Sequence, residues 1–222
     1  MVTEVNQTWW FKSIEKAVEQ LRRAKQPSLK QFSKGKPENQ LTSLLTAHLL
    51  ASDKEIVALN EVKQSRLAEE RSTFSIGQSA DLMIFDRKNI NWEEPKVYAE
   101  FKFWYNFDID TEGKLTPKDE RDTLADTNKL SMFKKNKKNT TCLQGIYFCF
   151  SDGDKPDSYM RKSNRAGFEK NHERFIEYFV STVKLEIEPQ CEVTIAGIFP
   201  LAEEKRDGRP TFWLDLLLFE IR

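Results

Sequence analysis

Glu100-Phe101-Lys102 brings a carboxylate and an ammonium group two residues apart within a run of β-forming residues, KVYAEFKFW (96–104). Residues i and i+2 of a strand point to the same face, so Glu100 and Lys102 would act side by side. The preceding run, ADLMIFD (80–86), carries a further acid, Asp81, ahead of Leu82, Met83, Ile84 and Phe85. An acid leading an otherwise apolar strand is costly unless something compensates its charge. A divalent cation would do so, and Mg²⁺, which takes oxygen ligands and keeps several waters, needs only one or two carboxylates. Asp81 and Glu100 as ligands of Mg²⁺ (or Mn²⁺ in its place) would lower the pKa of a bound water and neutralise charge on a phosphate. Lys102 would orient that water or stabilise the charge that develops. The chemistry that follows is hydrolysis of a phosphodiester bond.

The triplet Glu-x-Lys is cheap by itself, and this chain holds it at Glu61, Glu94, Glu100, Glu112 and Glu203. Context selects among them. Glu94 and Glu112 lie in turn-like segments, and Glu203 lies in what reads as a charged loop, EEKRDGRP (203–210). Glu61 ends an apolar run that has no acid-bearing strand before it. Glu100 and Lys102 alone lie inside a strand that follows another strand bearing an acid.

The flanking elements read as an alternating α/β chain. Trp10, Ile14, Val18 and Leu21 recur at helical spacing over 9–24, with Arg22 and Arg23 near the end, where cations suit the helix dipole. A polar connector (26–36) leads to Pro37, a first-turn residue for a second helix with Glu38, Leu41, Leu45, His48 and Leu49 on one face. Strands are expected at 55–62, 80–86 and 96–104, the last two as a hairpin-like pair. A helix over 123–135 and a continuous apolar strand, TCLQGIYFCF (141–150), follow. A helix at 168–184 with Phe168, Phe175, Ile176 and Phe179 buried, then strands at 191–200 and 211–221, complete the order. The expected fold is a central mixed β-sheet of five or six strands flanked by helices. It forms one domain, with a helix and connector over 1–36, a motif-bearing core over 37–150 and a C-terminal part over 151–222.

This order, with an acid-bearing strand before a Glu-x-Lys strand, resembles the PD-(D/E)XK nuclease superfamily and its restriction-endonuclease-like fold over roughly residues 37 to 150. The resemblance implies a Mg²⁺-dependent nuclease, most simply a DNA endonuclease of restriction or defence type, with Asp81, Glu100 and Lys102 catalytic. A first-helix glutamate often joins the metal site in that family, and Glu38 occupies the matching place. A polar helix after the Glu-x-Lys strand often adds a residue near the phosphate, and Asp126 and Lys129 look similar to that element. Ala80 stands where many members have the Pro of the motif's name.

Bland alternatives accompany each of these residues. Glu100 and Lys102 would equally suit an ion-paired solvent face, with Ala99, Phe101 and Phe103 as the buried side. Glu38 complements a helix dipole whether or not it binds metal. Lys129, Lys134, Lys135, Lys137 and Lys138 read as a solvated helix end, and beside a nuclease site as contacts to a phosphate backbone. Arg161, Lys162 and Arg165 form a second such patch. Trp104 and Tyr105 are expected in the core rather than stacked on a base. A binding module of the same fold without catalysis, and a non-enzymatic interaction protein, are the competing functions.

Composition narrows the field less than the motif does. Thirty-five basic residues offset 35 acidic ones, so a nucleic-acid partner, expected to be double-stranded DNA, has to be argued from local clusters. Three cysteines without a CxxC pair, and an N-terminus without an apolar leader core, fit a cytoplasmic protein. No run of residues is apolar enough for a membrane span. Enzymes that cut palindromes pair to match the duplex, so a homodimer is an expectation with no assigned face.

Overall fold

The computed structural model describes residues 8–23, 37–63, 79–105, 108, 115–151, 176–177, 179–182, 192–206 and 209–222. The connector at 26–36, Glu112, Cys191 and the basic trio Arg161, Lys162 and Arg165 lie outside them. In chain order the elements are α1 (Trp9–Arg23), α2 (Glu38–Ser52), β1 (Ile56–Lys63), β2 (Ser79–Asp86), β3 (Val97–Tyr105), α3 (Pro117–Asn136), β4 (Thr141–Ser151), β5 (Val193–Arg206) and β6 (Arg209–Ile221). Residues 176–177 and 179–182 are also helical. The strands form one mixed open sheet of order β1-β2-β3-β4-β6-β5, in which β3 and β4 are parallel and all other neighbours antiparallel.

The middle strands are apolar on both faces because helices cover both. On one face, Val97, Ala99, Phe101, Phe103 and Tyr105 of β3 join the stripes Trp10, Ile14, Val18, Leu21 of α1 and Leu41, Leu45, Leu49 of α2. On the other, Tyr98 and Trp104 join Leu130 and Phe133 of α3, and Phe179. Trp104 and Tyr105 are therefore core residues, as expected. Glu100 and Lys102 lie on the α3 side, so the solvent-facing alternative for this strand does not hold: both of its faces are covered.

Two boundaries correct the reading from sequence. The helix expected over 123–135 begins earlier, at Pro117, with Thr116 as N-cap and Asp119 and Glu120 in its first turn. The strands run further into the charged segment than expected: β5 and β6 pair out to Lys205↔Pro210 and Arg206↔Arg209, which puts Glu203 in a strand. The missed signal at the helix was a Thr-Pro start followed by acids.

One feature of the sheet creates the site. β2 and β3 pair only from Ile84↔Val97 to Leu82↔Ala99. Beyond that level β2 stays with β1 down to Lys63↔Ser79, and β3 stays with β4 up to Tyr105↔Cys149. The sheet therefore forks at Asp81 and Glu100. β1 is irregular at the same level: Glu61, between the pairs Asn60↔Leu82 and Val62↔Ala80, has φ 50°, a left-handed conformation that costs a non-glycine residue about 1 kcal/mol or more.

The β4 side of the fork is fixed by close packing. Phe101 is paired with Gly145, and its ring lies over that glycine, stacked on Tyr147 at 5.3 Å. A Cβ at Gly145 would collide with Cδ1 and Cε1 of Phe101, which is fully buried and cannot swing away. Gly145→Ala is expected to destabilise the fold by about 1–3 kcal/mol, read as a lower urea midpoint. An unchanged midpoint would contradict this packing.

Candidate active site

The fork leaves the Phe101 N–H on the edge of β3 that β2 has abandoned. Asp81 fills the gap: its Oδ2 accepts that N–H at 2.7 Å, a charge-assisted bond that spans the fork. Asp81 is part-buried, and Glu100 beside it is only 4% exposed. These carboxylates sit where the ladder splits, on strand residues that have no ladder partner across the fork.

α3 supplies the counter-charges. Lys129 Nζ donates to Glu100 Oε1 at 2.5 Å, and Lys102 Nζ lies 2.6 Å from Asp126 Oδ2. The strand offers an acid and a base two residues apart, and the helix answers with a base and an acid three residues apart, which share one flank. α3 comes close enough because it turns small polar residues to the sheet. Thr123, Thr127 and Ser131 recur every four residues and are all buried. The Thr123 and Thr127 hydroxyls donate to carbonyls one turn back, those of Asp119 and Thr123, so neither enters the core unsatisfied. Lys129 also stands 5.9 Å above the Tyr98 ring, itself stacked on Phe133 at 4.1 Å.

Burial first, and neighbouring acids after it, govern the charges. Burial, reinforced by the charge of Asp81, pushes the Glu100 carboxyl up to about 8 against the pull of Lys129. Burial also raises Asp81, opposed by the Phe101 N–H and by Lys102. Burial alone would lower the Lys102 ammonium, but Asp126, Glu38 and Asp81 outweigh it and the net direction is upward. Glu38, in the first turn of α2, thus contributes its charge at the site, as it does at Tyr147, where burial is the larger cause of a raised phenol.

These interactions tie six groups into one electrostatic unit: Glu38, Asp81, Glu100 and Asp126 against Lys102 and Lys129. Fully ionised, four negative and two positive charges leave a formal −2, the charge one divalent cation cancels. The donors are all oxygen, which suits Mg²⁺ or Mn²⁺. Among the described residues no three His, Cys, Asp or Glu side chains form a ready cage. Asp81 and Glu100 are the residues that could hold such an ion, and it would keep waters in its remaining positions.

The other expected residues are placed differently. Lys134 turns inward: its Nζ donates to the carbonyls of Lys138 and Thr140, both at 2.9 Å, and closes the turn between α3 and β4. In this arrangement Lys134 caps the end of α3. Lys135 is exposed on the last turn of α3, and His48 is half-buried on α2. Lys129 is half-buried and ion-paired with Glu100 rather than part of the solvated helix end. Cys142 and Cys149 are buried thiols. Among the described residues no helix is long and apolar enough to cross a membrane. Compared with known proteins, the chain matches no family model, no curated protein and no solved structure.

Proposed function

We propose that this protein is a metal-dependent nuclease with a restriction-endonuclease-like fold, hydrolysing phosphodiester bonds in DNA. The observation that carries the reading is the meeting of Asp81, Glu100 and Lys102 where β2 and β3 part, each held by a named partner: Phe101 N–H, Lys129 and Asp126. Burial is the main force raising both carboxyls, with Asp126 adding to it at Asp81 and Asp81 adding to it at Glu100, and a cation between them would relieve that cost.

Asp81 and Glu100 would hold Mg²⁺ or Mn²⁺, with Glu38 as the auxiliary acid. When bound, the ion neutralises charge on the scissile phosphate and makes water a competent nucleophile near neutral pH. Lys102 reaches the same face, and its ammonium steadies the negative charge that builds on the phosphoryl oxygens. Asp126 keeps Lys102 charged and fixes its direction. Lys129 shields Glu100 and brings a second positive charge beside it. The Phe101 N–H prevents Asp81 from turning away. Exposed cations on α3, including Lys118, Arg121 and Lys135, suit the DNA backbone.

Ion binding is testable apart from cleavage. An ion that binds only the folded state adds about 2.7 kcal/mol at a hundredfold excess over its dissociation constant. Mg²⁺ is expected to raise the melting temperature of the wild type and to leave Asp81→Asn unmoved. Equal responses of the two proteins would remove Asp81 from the ion site.

A further inference from the structure

Gln144 lies beside Glu100 on β4, in register with it, and is completely buried. A primary amide carries two donors and an acceptor, so it is tolerated in a core only where the surroundings use them. Here its Nε2 donates to the carbonyl of Glu100 at 3.3 Å and to that of Gly145 at 3.4 Å. Its Oε1 lies 3.4 Å from the hydroxyl of Thr127 on α3. The Glu100 carbonyl and the Phe101 N–H belong to one peptide group. The first faces β4 and meets Gln144; the second faces the fork and donates to Asp81 Oδ2 at 2.7 Å.

We infer that Gln144 is a positioning residue for Asp81, acting through the Glu100–Phe101 peptide. The line runs from Thr127 on α3 to Gln144 on β4, across the peptide of β3, to the carboxylate on β2. Hydrogen bonding at the carbonyl end polarises the peptide and strengthens the N–H as a donor at the other end. It also resists rotation of the peptide plane, which would swing the N–H off the carboxylate. The Phe101 ring, clamped against Gly145, holds the same peptide from the opposite face of the sheet. Asp81 has lost its ladder neighbour on β3 at the fork, so the bond from the Phe101 N–H helps orient it, and Gln144 backs that bond.

This role rests on the nuclease reading only for its consequence, that Asp81 is aimed at an ion. The test separates the two. In the ion-free protein, the Phe101 amide proton should resonate downfield, as a short charge-assisted donor does, and move upfield in Asp81→Asn. Gln144→Met fills the same space without hydrogen bonds, and it is expected to move the Phe101 amide part of the way in that direction. Its Mg²⁺ affinity by calorimetry should fall about tenfold, in the range for outer partners of metal ligands. A purely structural glutamine would lower the melting temperature and leave the Phe101 amide in place. Thr127→Val, which removes the anchor of the Gln144 amide, should shift the same proton by less and serves if Gln144→Met does not fold. A Phe101 amide unmoved in a folded Gln144→Met or Thr127→Val protein overturns the inference. Absence of Mg²⁺ binding by the wild type would instead sink the nuclease reading, and the amide shift would still decide the relay.

Discussion

Lys102→Ala is expected to reduce DNA cleavage by about 10²–10³-fold while leaving DNA binding within a few-fold of wild type, the loss seen when one preorganised donor to a developing oxyanion is removed. Lys102 lies on the covered face of β3 within 2.6 Å of Asp126, so its ammonium is fixed rather than sampling solvent. Its charge is preserved against burial by Asp126, Glu38 and Asp81. Removing it also leaves Asp126 as an excess negative charge in a site that already holds more acids than bases, so phosphate approach is opposed as well as unassisted. Cleavage by single-turnover kinetics and binding by fluorescence anisotropy separate the two effects. Parallel losses of binding and cleavage would make Lys102 a binding residue.

Glu100→Gln is expected to abolish cleavage and yet stabilise the ion-free protein in mildly alkaline solution. The folded-state carboxyl of Glu100 is raised to about 8, with burial the main cause and Asp81 the next. Between the usual carboxylate value and about 8, the folded protein keeps a proton that the unfolded chain has released. Stability therefore falls as pH rises through that window, by at most roughly 1.4 kcal/mol per pH unit, and levels off above it. Glutamine has no proton to lose, so the variant should be flatter with pH and the more stable protein at the alkaline end. Asp215, raised to about 6 by burial and by Glu203, imposes a fall of its own at lower pH. For that reason the quantity to compare is the difference between wild type and variant, from urea unfolding at several pH values. Parallel pH profiles for the two proteins would mean that Glu100 is ionised at no cost. The gain on neutralisation is what a site built to receive a cation should show.

The meeting of Asp81, Glu100 and Lys102 was legible in outline because its signal is local. An acid inside ADLMIFD and a Glu-x-Lys inside KVYAEFKFW conflict with apolar strands, and a conflict of that kind marks function. The fork was not legible. Nothing in either strand says where pairing stops, since that depends on β2 following β1 and β3 following β4. Asp126 and Lys129 stood out as helix residues near the expected phosphate, but their pairing with Lys102 and Glu100 did not, because it depends on how closely Thr123, Thr127 and Ser131 let α3 approach. Gln144 was passed over inside TCLQGIYFCF, where a lone amide in an apolar run was the available cue. Lys134 was read as a surface cation because a capping lysine and a solvated one look alike until the carbonyls of Lys138 and Thr140 are in place.

The most direct measurement is incubation of supercoiled plasmid and linear phage DNA with the wild-type protein in Mg²⁺, in Mn²⁺ and in chelator, with Glu100→Ala alongside. The account predicts nicked or linear product with wild type in either ion, none in chelator and none with Glu100→Ala. Intact DNA in both ions, from a protein that is folded and also leaves RNA uncut, would contradict it.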